Sequence, residues 1–338
     1  MAARLALGLV GVGRIGAFHA QALLSLEDVS SLTIADADPA RAHRVARELG
    51  VDAAETPEAI VDAGVDALVI ATATPAHAPL LRLAAQAGLP AFCEKPVALD
   101  LPTLDGVRDE VAQAGILVQV GFQRRFDAGY VAAHDAVATG GVGRILVMRA
   151  ATHDPLPPPA DYIAASGGIF ADLHIHDFDA VRFVSGEEIT KVYADGAALD
   201  APWVNELDDF DVAAAVLHLS GGGVVIVSGT RRDPLGYDVR LEVFGTGDSI
   251  AVGQDARTPI RSVEPGAARP QESGYRDFWD RFEPAYRKEL EAFVETVRSG
   301  APSLCSLDEA RAALTVALAA DRSRAERRPV SIEEVALA

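Results

Sequence analysis

The sequence predicts an α/β domain built on a parallel sheet, followed by an α+β domain with a large, mostly antiparallel open sheet. Over the first 120 residues, short apolar runs alternate with helical stretches, as in strands joined by crossover helices. A glycine-rich turn directly follows the first of those runs. Past Phe122, long strand candidates follow one another, two of them joined as a hairpin. The 338 residues suffice for two domains of about 100–200 residues each, expected at 1–122 and 123–338.

Leu5–Val10 reads as the first strand and Ile15–Leu26 as the helix after it. Arg4 ahead of that apolar run superficially resembles a signal peptide. The run is short, however, and enters the glycine turn with no cleavage site. Ser31–Ala35 is the second strand, ending at Asp36. Pro39–Leu49 is a helix with proline in its first turn and Gly50 as its stop. Strands at Ala67–Ala71, Ala91–Cys93 and Leu117–Val120 are separated by helices near Ala76–Ala87 and Thr103–Ala114. In the second part, a helix near Ala128–Ala138 leads through Gly140–Gly143 into the strand Arg144–Ala151. The proline-rich stretch Asp154–Pro159 cannot continue a ladder. A helix from about Asp172 to Val184 precedes strands at Lys191–Ala197, Asp211–Leu219, Val224–Arg231, Asp238–Phe244 and Ser249–Val252. Helices at Tyr275–Arg298 and Leu307–Ala325 close the chain, the last of them able to pack back on the first domain. One face of the second sheet is left uncovered, which predicts a homodimer or homotetramer through that sheet.

Composition narrows the function. The balance of 30 Lys and Arg against 49 Asp and Glu disfavours nucleic acid and anionic membranes and gathers cations. No run reaches the ~18–20 apolar residues of a membrane span. Two cysteines, Cys93 and Cys305, are too few for a disulfide framework and fit the reducing cytoplasm.

Gly11-Val12-Gly13-Arg14-Ile15-Gly16 fits G-x-G-x-x-G between an expected strand and an expected helix, the context of a Rossmann dinucleotide site. Gly11 permits the turn, Gly13 lets the pyrophosphate approach the backbone, and Gly16 lets helix and strand pack closely. The helix N-terminus at Arg14 and Ile15 then faces the phosphates. Asp36, 20 residues beyond Gly16, suits the adenosine ribose hydroxyls and repels a 2′-phosphate, so NAD is expected over NADP. Arg41 reads as a solvated helix charge.

Chemistry is expected from three further segments. Glu94-Lys95-Pro96 ends a strand, where open α/β sheets hold their ligands, and the Lys95 charge would stabilise a developing alkoxide. Asp172 and His176 are i and i+4 on a helix, and an acid beside an imidazole suits general base catalysis. His174 and His176, at i and i+2, point apart, so no metal site is expected. Gly121–Asp127 carries Arg124 and Arg125, one of which would donate to substrate hydroxyls while the other pairs with carboxylates.

Taken with Ala73-Thr74-Pro75-Ala76-His77 and Gly167–Asp177, these segments resemble the Gfo/Idh/MocA oxidoreductases over essentially the whole chain. Within that family, His153-Asp154-Pro155, Ser166–Phe170 and Ile175–Asp179 are most similar to inositol 2-dehydrogenases. The resemblance implies a catalytic trio of Lys95, Asp172 and His176, with His176 accepting the hydroxyl proton. It implies that Thr72, Thr74, His77, Glu94 and Gln123 border the nicotinamide, and that Asp154 and Arg124 contact the polyol. Gln123, Ala171 and His174 depart from relatives, which carry asparagine, a larger apolar residue and threonine there. Those changes are expected in the pocket wall. Alternative readings are an aminoglycoside sugar dehydrogenase, suggested by the acidic surface, an NAD-dependent glycosidase, and an NAD-binding sensor without chemistry.

Overall fold

β1 (Leu5–Val10) runs into the glycine turn and α1 (Arg14–Leu24), and the chain then winds through β2 (Val29–Ala35) and α2 (Pro39–Leu49). α2 shows the local logic clearly. The Asp38 carboxylate accepts from the Ala40 and Arg41 amides, Pro39 occupies the first turn, and Gly50 ends the helix at a φ of 71°, so both ends are satisfied by side chain or glycine. β3 (Asp52–Ala53), α3 (Pro57–Asp62), β4 (Ala67–Ile70), α4 (His77–Ala87), β5 (Ala91–Glu94), α5 (Leu101–Ala114) and β6 (Val118–Gly121) follow. All four residues of β4, β5 and β6 are buried, as expected of parallel strands covered on both faces. The six strands pair in parallel in the order β3-β2-β1-β4-β5-β6.

The second part holds α6 (Ala128–Ala138), β7 (Ile145–His153), α7 (Ala160–Ser166), a π turn at Phe170–His174, α8 (Ile175–Ser185) and β8 (Ile189–Ala197). β9 (Val212–Leu219), β10 (Val224–Thr230), β11 (Asp238–Gly245) and β12 (Ser249–Val252) continue the sheet. α9 (Phe278–Ser299), α10 (Leu307–Glu326), β13 (Val330–Ser331) and α11 (Glu333–Ala336) end the chain. The seven strands lie in the order β12-β11-β7-β10-β9-β8-β13, antiparallel throughout except where β7 meets β10. β9 and β10 form the expected hairpin. Side chains alternate buried and exposed along β9, so one face of the sheet carries the core.

The computed structural model describes residues 4–267 and 273–337. They fall into two compact units, Met1–Gln123 with Pro284–Arg311, and Arg124–Glu283 with Ala312–Ala338. The first unit thus takes in a later stretch of chain, 284–311. Leu290, Phe293 and Val294 are buried in one cluster with Leu7, Leu9 and Phe92, and this apolar face draws the 284–311 stretch into the first unit. Five short elements escaped the sequence reading: β3, α3, α7, β13 and α11. Each is seven residues or fewer, too short to display a period. Among the described residues no helix is long and apolar enough to cross a membrane.

Candidate active site

Strand order reverses beside β1, which has β2 on one side and β4 on the other. In an open α/β sheet this switch point is where a dinucleotide binds, and both the glycine turn and Thr72 follow strands there. The three glycines differ in what they tolerate. A Cβ on Gly11 would sit 2.6 Å from the Ala71 carbonyl oxygen, and one on Gly16 would sit 1.8 Å from that of Gly11. A Cβ on Gly13 meets no described atom within 4 Å, so the backbone at the N-terminus of α1 faces open space that a pyrophosphate fits. Arg14 is exposed and Ile15 half-buried at that end. Asp36 is held rigidly: Oδ2 accepts from the Val12 amide at 2.8 Å and Oδ1 from the Asp38 amide at 2.9 Å. Arg41, a solvated helix charge as expected, also donates to Asp36 at 3.3 Å. These residues fit NAD.

Lys95 is half-buried just beyond β5, before a cis peptide to Pro96, and Thr72 and Thr74 are half-buried beyond β4. The other residues expected along the nicotinamide are engaged with protein. His77 is buried, with Nδ1 2.7 Å from the Pro96 carbonyl oxygen and Nε2 3.0 Å from that of Thr72. Burial lowers its pKa against the pull of those two carbonyls. The ring therefore clips the Thr72 turn to the Lys95-Pro96 turn and acts through them. Glu94 is buried with Oε1 2.7 Å from His19 Nε2, and Gln123 donates to the Tyr286 hydroxyl at 3.1 Å. Glu289 joins His19 and Glu94 in a buried group whose potential ligand atoms lie within 4.8 Å of one another. Burial, and then the Glu94 charge, push the Glu289 carboxyl well above its ordinary range.

In the second unit, Asp172 belongs to the π turn and His176 to the first turn of α8. The expected single α-helix from Asp172 is thus replaced by a wider turn, a feature frequent at functional sites. Asp172 Oδ1 accepts from the Tyr162 hydroxyl at 2.8 Å, and Oδ2 accepts from Arg231 at 3.1 Å. Crowding around the Tyr162 hydroxyl, and then the Asp172 charge, push that phenol far up, so it donates at any working pH. Neither partner was anticipated, since they lie 10 and 59 residues away. The one sequence signal was Arg231 closing an apolar strand. His176 is half-buried, as is Asp154 at the end of β7.

Two expectations are corrected here. Arg124, expected to contact a polyol, is only 2% exposed. Its Nη1 donates to Asp177 at 2.5 Å and its Nη2 to Thr152 at 2.9 Å, so it anchors the core of its unit. Arg125 forms a two-pronged pair with Asp179, and both arginines therefore bind carboxylates. His174, expected in the pocket wall with Ala171, is fully buried, as Ala171 nearly is. Its Nδ1 lies 2.8 Å from Asp177 Oδ2, and a Cβ on Gly229 would fall 2.4 Å from its ring. The histidine occupies room that only glycine leaves on β10.

Comparison with known proteins agrees with this geometry. Residues 5–122 match the oxidoreductase family model with an NAD-binding Rossmann fold, and residues 130–251 match the GFO/IDH/MocA C-terminal domain. The chain is 36% identical to the myo-inositol 2-dehydrogenase of Thermotoga maritima, over 97% of this chain and 99% of that protein. It is 38% identical to a myo-inositol dehydrogenase, Hyg17, of Streptomyces leeuwenhoekii, over 93% of this chain and 96% of that one. A scyllo-inositol dehydrogenase of Lactobacillus casei, solved with NAD(H) and scyllo-inositol, superposes with a TM-score of 0.89 at 28% identity, covering 98% of this chain and 99% of that one. By these matches and by its fold, the chain belongs to the Gfo/Idh/MocA family of NAD-binding oxidoreductases.

Proposed function

We propose that the protein is an NAD-dependent dehydrogenase that oxidises a secondary ring hydroxyl of a cyclitol to a ketone, in the manner of inositol 2-dehydrogenases. The observation that carries this reading is the π turn presenting Asp172, gripped by Arg231 and Tyr162, one helical turn before His176, in a chain akin to inositol dehydrogenases along nearly its whole length. Gly11, Gly13, Gly16 and Asp36 would hold NAD, which would supply the hydride acceptor for the ring carbon. His176 accepts the hydroxyl proton, Asp172 supports the resulting imidazolium, and Lys95 stabilises the negative oxygen. Thr72 and Thr74 border the nicotinamide, Asp154 binds ring hydroxyls, and Asp36 binds the adenosine ribose. A cyclitol is favoured over an aminoglycoside or a glycoside because the relatives described act, by name, on inositols. The test is absorbance of reduced nicotinamide with myo-inositol, scyllo-inositol, hexoses and aminoglycosides, each with NAD and NADP. Turnover of an inositol with NAD, and little with NADP, is expected. Activity confined to aminoglycosides, or sugar release without net NADH, would replace this reading.

The enzyme is expected to work in the cytoplasm as a homodimer or homotetramer. Its second sheet exposes Tyr193, Val216 and Ile226 side by side across β8, β9 and β10. Lys191, Asp195, Arg149 and Glu242 lie around this apolar row. A row of that kind, ringed by both charges, complements itself across a twofold axis. Light scattering should give a multiple of the monomer mass, and Ile226→Glu should reduce it. A monomeric wild-type protein would refute the assembly.

A further inference from the structure

Arg231 follows the last residue of β10 and is fully buried. Its Nη1 donates to Asp172 at 3.1 Å, its Nη2 to Asp209 at 3.2 Å, and its Nε to the Phe210 carbonyl oxygen at 3.4 Å. Asp209 does a second thing: its Oδ1 accepts from the Ile169 amide at 2.8 Å. Ile169 immediately precedes the π turn that contains Asp172. One guanidinium therefore ties a carboxylate within the turn to a carboxylate that holds the start of the turn. A buried arginine needs anions around it, and here it has two, which leaves the trio one negative charge in excess.

We propose that Arg231 is a positioning residue of the oxidation step, setting the place of Asp172 through its bridge to Asp209. The inference rests on the reading of Asp172 and His176 given above. Three features support it. The fork of a guanidinium reaches two carboxylates at once, which the single ammonium of lysine cannot reproduce. Burial works against the Arg231 charge, but Asp172 and then Asp209 outweigh it and raise its pKa, so the bridge stays charged. Asp172 sits four residues before His176, so a group that fixes this carboxylate acts on the partner of the proposed imidazolium. Tyr162 fixes the other oxygen of Asp172 from α7, so the acid is held on two sides.

The experiment compares Arg231→Lys, Asp209→Asn and His176→Ala in the full-length protein. It records thermal midpoint, NAD affinity by nicotinamide-analogue fluorescence quenching, and kcat and KM for the best cyclitol. Arg231→Lys is expected to keep NAD affinity and to lose about 10²-fold in kcat with little change in KM, the scale of loss from slight misplacement of reacting groups. Asp209→Asn preserves an acceptor for Ile169 and weakens only the bridge, so a smaller fall in kcat at unchanged KM is expected. Wild-type kcat in a folded Arg231→Lys variant overturns the proposal. If that variant does not fold, Asp209→Asn decides, and wild-type kcat there overturns it equally. A His176→Ala variant at wild-type turnover would instead sink the underlying reading of the base. Loss in His176→Ala with none in the other two would sink the positioning role alone.

Discussion

His176→Ala lowers kcat by about 10²–10⁴-fold, the range for removing a general base, while NAD affinity and the thermal midpoint stay near wild type. The side chain is half-buried on the first turn of α8, so its truncation costs little packing. The turn itself is secured by others: Asp177 by Arg124 and His174, Asp179 by Arg125, and Asp172 by Arg231 and Tyr162. None of these contacts passes through the His176 ring. The loss should therefore fall on the chemical step and leave the fold alone. Stopped-flow measurement of reduced nicotinamide separates the two, because a slower burst at unchanged amplitude reports chemistry. Partial recovery on adding imidazole would identify the missing group as a base. Turnover equal to wild type would remove His176 from the role and leave Lys95 as the residue to examine.

The cofactor end was legible because its signals are local. Gly11, Gly13 and Gly16 are each set by backbone crowding or openness within a few residues or across one neighbouring strand, and Asp36 sits where β2 must end. Helix caps such as Asp38 and stops such as Gly50 and Gly88 are equally local. The site in the second unit was legible only in part. Asp172 and His176 stood out by spacing, but spacing does not reveal depth. Arg124 and Arg125 looked alike in sequence, and only three-dimensional packing shows both of them consumed by carboxylates. His174 was expected in the pocket wall because it stands where relatives carry threonine, yet its ring turns inward to Asp177. Arg231, Asp209 and Tyr162 come from three separate stretches of chain, and no periodicity announces a bridge of that length.

Arg124→Ala should give the largest stability loss of any single change described, about 3–5 kcal/mol, the usual result of removing one partner of a buried ion pair. Arg124 and Asp177 are both buried, in contact at 2.5 Å, with Thr152 donating to the same carboxylate oxygen at 2.8 Å. The guanidinium also lies 5.9 Å from the Tyr130 ring centroid and 6.0 Å from that of Phe282, so its removal leaves a cavity against two aromatic rings as well. Burial pushes the Asp177 carboxyl up, but the Arg124 charge and the His174 hydrogen bond outweigh it, and it sits below its ordinary value. In the wild type this group adds stability that is complete above the unfolded carboxylate pKa and fades only as pH falls through the lower, folded one. Without Arg124 the balance reverses, because burial is then opposed only by the His174 and Thr152 hydrogen bonds, with no cation in contact. The folded carboxyl becomes the better proton acceptor, so the deficit of the variant is greatest at neutral pH and shrinks as acid supplies the missing proton. Urea midpoints for both proteins at pH 7.5 and 5 read this directly: the gap between them should narrow at the lower pH. A gap under about 1 kcal/mol at pH 7.5 would mean that Asp177 is not a buried charge dependent on Arg124, and that the arginine is available for another task.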